Sequence, residues 1–146
     1  MSSRKRLQEE DFSYTIMPWT FFDYVIVRGD GQTINEIHEW LNSNEVTTKA
    51  KAKINARVAT LQGFPLFPEQ YFSAYKGWDD LYELRIVCSG VQYRPFGFYG
   101  PKQRQFTILV GSVEKGKVPK STLKVADERR KIVIANPSRI CPHDFS

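Results

Sequence analysis

The chain has 146 residues, of which 41% are hydrophobic and 14% aromatic, and its formal net charge is +5 at pH 7. This size and hydrophobic content indicate a single folded domain and exclude a disordered polypeptide. No apolar run approaches the roughly 18 residues of a membrane-spanning helix, and no apolar core follows the basic residues near the N-terminus. We therefore expect a cytoplasmic protein with no membrane partner.

The first part of the chain is predicted to form an arm, a strand and a helix. Residues 1–20 are predicted to be an arm, because SSRKRLQEED is polar and mixed in charge, as is typical of a mobile segment, and the aromatic-rich residues 12–19 are interrupted by Pro18 and suit an extended segment. Residues 21–27 form a predicted strand that ends at the Asp-Gly turn signal at 30–31. The sequence TINE at 33–36 fits a capping box, so a helix is predicted to begin at Thr33.

A second helix is predicted over residues 46–61, where apolar side chains recur at helical spacing. Its core-facing stripe is expected to contain Ala50, Ile54, Val58 and Leu61. The same helix carries a basic ridge, because Lys49, Lys53 and Arg57 repeat at a spacing of four. This ridge is a candidate RNA-binding surface that would contact phosphates; alternatively, it only keeps an amphipathic helix soluble.

The second part of the chain is predicted to form most of the sheet. Residues 63–78 read as a loop, because proline and glycine interrupt them. Three apolar and aromatic runs bounded by Gly and Pro then predict an antiparallel meander, over residues 81–88, 91–99 and 105–113. Pro119 marks the start of a further helix. The C-terminal tail is assigned to residues 134–146. A short strand is one expectation for the segment before Asn136-Pro137, and a loosely held tail is expected beyond it.

These elements predict an α+β domain over residues 21–133. Its sheet would be small and antiparallel, with the three meander strands and one N-terminal strand, and would pack against two or three helices.

Positive charge is concentrated between Arg85 and Lys131. This segment has eleven Lys and Arg against three acids, a balance of +8, and the remainder of the chain carries −3. Such an imbalance favours a polyanionic partner, most plausibly nucleic acid, over the alternative of a solvated basic face.

Several kinds of site are excluded by spacing. Residues 111–117 match the GxxxxGK part of a phosphate-binding loop, but Val118 stands where Ser or Thr must hold Mg²⁺. The two histidines and two cysteines lack the paired spacing of a zinc site, so no metal is expected. No Ser-His-Asp or Cys-His arrangement is credible.

The ordered cations of the meander are the remaining candidates. Strand alternation places Glu83 and Arg85 on one face, and it turns Tyr93 and Arg94 to opposite faces. Either Glu83 and Arg85 form a surface salt bridge that contributes little, or the cations form a pocket that holds a scissile phosphate.

The segments LYELR, VQYRPF, FTILVGSVEKGKVP and ADERR, in this order, resemble the RelE/HigB superfamily of bacterial toxins, and most of all its phage-derived toxin-like subset. The resemblance covers about residues 21–133 and implies a RelE-like fold. It also implies a toxin of a type II toxin–antitoxin system, a ribosome-associated endoribonuclease that cleaves mRNA. In such enzymes the ribose 2′-hydroxyl attacks its own phosphate without a metal or cofactor. The implied partners are mRNA, the ribosome and a cognate antitoxin, expected to be a helix-turn-helix protein.

The resemblance also implies roles for individual residues. Arg94 matches the phosphate-binding arginine of the YR motif, and Arg85 matches the arginine of ELR. Lys115 and Lys117 lie in the loop that carries a catalytic basic residue in the family. Tyr93 is a candidate for stacking on a base, or else a packing residue.

The first meander strand departs from the family pattern. RelE has lysines where this chain has Leu81 and Glu83. Glu83 would therefore be either a salt-bridge partner or a general base. The alternative function is a non-catalytic module of the same fold that binds RNA or an antitoxin.

Overall fold

The computed structural model describes residues 19–63, 72–114 and 116–146. Within these ranges the chain forms nine strands and three helices. The strands are β1 (Thr20–Tyr24), β2 (Ile26–Val27), β3 (Thr33–Ile34), β4 (Phe72–Ala74), β5 (Tyr82–Leu84), β6 (Ile86–Cys88), β7 (Val91–Tyr99), β8 (Gln105–Glu114) and β9 (Ile140–Pro142). The helices are α1 (Glu36–Leu41), α2 (Thr48–Gln62) and α3 (Lys120–Ala135).

Seven of the described strands form one sheet in the order β4-β5-β7-β8-β1-β9, and β6 pairs with β7 beyond the end of β5. Strand β1 runs parallel to β8, and the other pairs described in this sheet are antiparallel. Strands β2 and β3 form a separate ribbon. The predicted α+β class is therefore confirmed. The sheet is larger than predicted, because β4 and β9 join it and the first meander strand is divided at Arg85.

The two faces of the sheet are covered by different helices, and each has its own apolar core. Helices α1 and α2 cover the face called here the α1/α2 face, on which the predicted α2 stripe is buried together with Tyr93 and Phe106. Helix α3 covers part of the opposite face, the α3 face, where Leu123 packs with Phe96 and Phe98. Because side chains alternate along β7, Tyr93 and Phe96 reach opposite cores.

The first helix begins later than the capping-box pattern predicts. Its N-cap is Asn35, whose side-chain oxygen accepts a 3.0 Å hydrogen bond from the His38 backbone N–H. Thr33 and Ile34 instead pair with Val27 and Ile26 across the turn. The prediction that the helix begins at Thr33 was wrong, because Asn is at least as good an N-cap as Thr and the ribbon takes up the two preceding residues.

The C-terminal segment is not the loosely held tail that the sequence suggested. Helix α3 continues to Ala135, and β9 pairs with β1 along the edge of the sheet. The backbone N–H of His143 then donates to the Phe21 carbonyl at 3.0 Å. This expectation was wrong because the hydrogen bonds that hold the segment come from the other end of the chain.

Two further predictions concern segments that the structure describes only in part. Residues 72–74 form β4 within the predicted loop at 63–78, and residues 64–71 of that loop lie outside the described residues. The predicted arm lies outside them as far as residue 18. Among the helices that the structure describes, none has the length and apolar character needed to cross a membrane.

Candidate functional site

A cleft of about 420 Å³ opens on the α3 face, at the end of the sheet near β5, β6 and the start of β7. It is lined by Glu83, Arg85, Ile86, Val87, Gln92 and Arg94. Alternation along β5 and β6 gives Glu83, Arg85 and Val87 one orientation, and alternation along β7 does the same for Gln92 and Arg94. Two of the predicted site residues, Arg85 and Arg94, are thereby brought together.

Glu83 is the central residue of the cleft and is only 5% exposed. Its Oε1 accepts a 2.7 Å hydrogen bond from Arg85 Nε, and its Oε2 lies 3.7 Å from Arg94 Nη1. Arg85 also donates through Nη2 to Ser73 Oγ at 2.9 Å. The predicted pairing of Glu83 with Arg85 is confirmed, but the carboxylate is buried rather than at the surface and it faces two guanidinium groups.

The two arginines differ in exposure and support. The Arg94 side chain is 16% exposed, and its Nε donates a 3.0 Å hydrogen bond to Gln92 Oε1, which also accepts from Arg94 Nη2. The Arg85 side chain is 60% exposed. Arg94 is therefore a fixed cation in the wall of the cleft, and Arg85 is a cation at its mouth.

Two carboxylate oxygens near the cleft lack a hydrogen-bond donor among the described residues. One is Glu83 Oε2, and the other is Glu114 Oε2, at the end of β8. Glu114 is the register partner of Gln92, and its Oε1 accepts a 2.7 Å hydrogen bond from Ser112 Oγ. Buried oxygens with unused lone pairs can accept a proton or a hydrogen bond from a bound molecule.

The predicted loop lysines are only partly described. Lys115 lies outside the described residues, whereas Lys117 is exposed. Lys117 follows Glu114 by three residues, so their Cα atoms are at most about 11 Å apart. Because Glu114 pairs with Gln92 of the cleft wall, the chain keeps Lys117 near this end of the sheet.

The three residues of the predicted basic ridge on α2 differ in their exposure and contacts. Lys49 is exposed to solvent, and Arg57 is half-buried. Lys53 is exposed but reaches the sheet, where its Nζ donates to the Val87 carbonyl. Lys53 therefore contacts a residue that lines the cleft.

Tyr93 has the packing role that was its alternative assignment. It is 3% exposed and belongs to the core of the α1/α2 face. Its ring is therefore not available to stack on a base in this structure, and we leave it out of the site proposed below.

Sequence reasoning missed Gln92, Ser73 and Glu114 as parts of this arrangement. Gln92 carries a signal that could have found it, since it lies two residues before Arg94 and therefore on the same face. Ser73 gave no such signal, because its strand was read as a loop.

No family model matches this chain, and no match was found among the curated proteins or the solved structures. The resemblance to RelE and HigB therefore stays a prediction. The described residues also contain no group of three or more His, Cys, Asp or Glu side chains arranged to hold a metal ion. The site is interpreted below from its own chemistry.

A second cleft, of about 350 Å³, lies between α1 and β8 and has the opposite charge. Its lining includes Glu36, Glu39 and Glu45, against one cation, Arg129, which binds Glu36 at 2.5 Å. An acidic lining repels phosphate. The cleft with two arginines is therefore the better candidate for a polyanion.

Proposed function

We propose that the protein is a toxin of the RelE/HigB type, a ribosome-associated endoribonuclease that cleaves mRNA by metal-independent attack of a ribose 2′-hydroxyl. The observation that carries the proposal is the convergence of Arg85 and Arg94, from neighbouring strands, on the buried carboxylate of Glu83. The basic segment from Arg85 to Lys131 supports a polyanionic substrate.

In this proposal the two arginines bind the scissile phosphate. Guanidinium groups match phosphate oxygens in a bidentate manner and stabilise the charge that develops as the 2′-oxygen attacks. Arg94 would carry the larger share, because its side chain is fixed by Gln92 in the wall of the cleft. Arg85 would bind the phosphate from the mouth of the cleft.

Glu83 is the proposed general base. Its Oε2 lacks a hydrogen-bond donor among the described residues, so it has a lone pair for the 2′-hydroxyl proton. The 2′-oxygen then bonds to phosphorus, and the bond from phosphorus to the 5′-oxygen breaks. The leaving oxygen takes a proton from Lys115 or Lys117, in line with the resemblance. The products are a 2′,3′-cyclic phosphate and a 5′-hydroxyl.

A second candidate function is a non-catalytic module that binds RNA or an acidic antitoxin segment. The observation that favours it is the charge of the cleft lining, in which Glu83 offsets one of the two guanidinium groups and leaves a net charge of +1. Such a cleft can hold an anion without promoting cleavage.

Expression in a bacterium without an antitoxin separates the two functions. Induction of the native chain should arrest growth and create new mRNA 5′ ends, whereas Arg94→Ala should do neither. Arg28→Ala, which removes an exposed arginine from the turn between β2 and β3, is the matched control and should remain toxic. Growth arrest without new mRNA ends would favour the non-catalytic module.

A further inference from the structure

We propose that Glu83 acts as an internal competitor of the RNA phosphate, so that the cleft is self-neutralised until RNA enters. This inference rests on the proposed function, because it concerns how the same cleft receives its substrate. The carboxylate would hold both arginines in the empty site, and the phosphate would take them over on binding.

The geometry of the empty cleft resembles a site already occupied by an anion. One carboxylate oxygen binds Arg85 Nε at 2.7 Å, and the other lies near Arg94 Nη1 at 3.7 Å. A phosphate group bridging two arginines would use the same donors. Glu83 therefore stands in for the ligand that the arginines are proposed to bind.

The Arg94 contact is loose enough to be exchanged. A separation of 3.7 Å is beyond hydrogen-bond distance, which leaves Oε2 without a donor in the described part of the chain. Arg94 is held in place by Gln92 instead, so it keeps its position when the carboxylate is displaced. Arg85 is 60% exposed and can follow an incoming phosphate.

This exchange couples binding to chemistry. While no phosphate is bound, the Glu83 carboxylate faces Arg85 and Arg94. Once a phosphate occupies the donors of both guanidinium groups, Glu83 has fewer partners and can accept the 2′-hydroxyl proton of the bound nucleotide. The base would thus be released by the substrate it acts on.

Glu83→Gln tests the competition directly, since it keeps the shape of the side chain and removes its charge. The lining charge rises from +1 to +2, so the variant should bind RNA about tenfold more tightly at low salt. Because the lining gains one net positive charge, the slope of log affinity against log salt should also steepen by about 0.7. Glu39→Gln is the matched control, because it removes one carboxylate from an exposed position on α1 in the acidic cleft.

The measurement is fluorescence anisotropy with a 2′-O-methyl RNA oligonucleotide, which the protein cannot cleave by 2′-hydroxyl attack. If Glu83→Gln binds more tightly than Glu39→Gln, the inference is supported. If the native chain binds and the two variants do not differ, the inference is overturned while the proposed function stands. If the native chain does not bind RNA, the RNA-binding part of the proposed function is overturned as well.

A second measurement on the native chain covers the case in which Glu83→Gln does not fold. The N–H resonance of Arg85 Nε, which donates to Glu83, can be followed by NMR as the same oligonucleotide is added. It should shift in a saturable way, because Arg85 Nε loses Glu83 and gains a phosphate. A resonance that stays unchanged while RNA binds would overturn the inference.

Discussion

At the residue scale, Asp23 and His143 form a hydrogen-bonded pair whose side chains are both fully buried. His143 Nδ1 lies 2.7 Å from Asp23 Oδ1, and Nε2 lies 2.9 Å from Asn55 Oδ1. The amide of Asn55 is oriented by its other end, since Nδ2 donates to the Phe145 carbonyl at 3.2 Å. Both ring nitrogens of His143 therefore lie within hydrogen-bond distance of a side-chain oxygen.

The pair is expected to contribute strongly to the stability of the fold. His143→Gln should lower the free energy of unfolding by about 1–3 kcal/mol, because it removes the buried ring that is hydrogen-bonded to both Asp23 and Asn55. His38→Gln is the control, since His38 is a half-buried residue 3.5 Å from Asp144 and should cost at most about 1 kcal/mol. Urea unfolding of both variants checks the difference. Equal losses would contradict the account of the pair.

Tyr99 is a single residue that is expected to make the stability of the fold depend on pH. Burial raises the pKa of Tyr99 from 10.0 to about 12, with smaller contributions from the nearby Tyr82 hydroxyl and Asp80. Between these two values the folded state holds a proton that the unfolded state has lost. The contribution of Tyr99 to stability is therefore complete below pH 10 and is lost as the pH rises towards 12.

Tyr99→Phe tests this assignment. The variant should lack one phenol that titrates near pH 12 in an ultraviolet absorbance titration, and its stability should decline less steeply above pH 10. Tyr75→Phe is a control on a tyrosine of the other core, whose ring contacts Phe96. If Tyr99→Phe leaves the phenolate titration near pH 12 unchanged, the assignment is wrong.

At the element scale, strand β8 makes room for helix α1 at Gly111. A Cβ atom built there would lie closer than 3.0 Å to the Trp40 ring, which packs flat against the strand. Gly111→Ala should therefore lower the free energy of unfolding by about 1–3 kcal/mol and change the tryptophan fluorescence, as expected for overpacking.

Gly116→Ala is the matched control for this substitution. Gly116 follows the same strand, and no atom of the described residues other than its chain neighbours lies within 4 Å of the position of an added Cβ. It should leave stability and fluorescence close to those of the native chain. A Gly111→Ala variant as stable as the control would show that β8 and α1 are not packed as described.

The helices and strands also show which parts of the fold could be predicted from sequence patterns. The buried stripe of α2 was predictable, because Ala50, Ile54 and Val58 repeat at the spacing of one helix face. The paired strands β7 and β8 were predictable from apolar runs bounded by Gly and Pro. Strands β4 and β9 were not, since each has three residues and pairs with a partner that local sequence does not specify.

The candidate site, like the fold, could be predicted from the sequence only in part. Alternation placed Glu83 with Arg85 and separated Arg94 from Tyr93. The burial of Glu83 was not predictable, because it depends on β4, which lies beside β5 and pairs Ser73 with Glu83. The contact of Lys53 with Val87 depends on how α2 packs against β6, and this too is absent from local spacing.

At the scale of the whole molecule, the two faces of the sheet differ: one is covered by a packed apolar core, and the other carries the candidate site. The α1/α2 face is packed with apolar side chains and is closed along one edge by β9 and the buried Asp23–His143 pair. Helix α3 leaves part of the opposite face open, and the two arginines lie there. The two clefts carry opposite charge, so only the cleft with the two arginines suits the proposed polyanionic substrate.

The central claim is that this open end of the sheet cleaves RNA through a ribose 2′-hydroxyl. The most direct measurement uses translating ribosomes, the purified protein and an mRNA with a single 2′-deoxy substitution at the mapped cleavage site. The account predicts a 2′,3′-cyclic phosphate and a 5′-hydroxyl from the native mRNA and no cleavage of the substituted one. Arg94→Lys should slow cleavage about 10²-fold relative to Arg28→Lys, because the bidentate phosphate contact is lost. Cleavage of the deoxy-substituted mRNA at the native rate, or equal rates for the two variants, would contradict it.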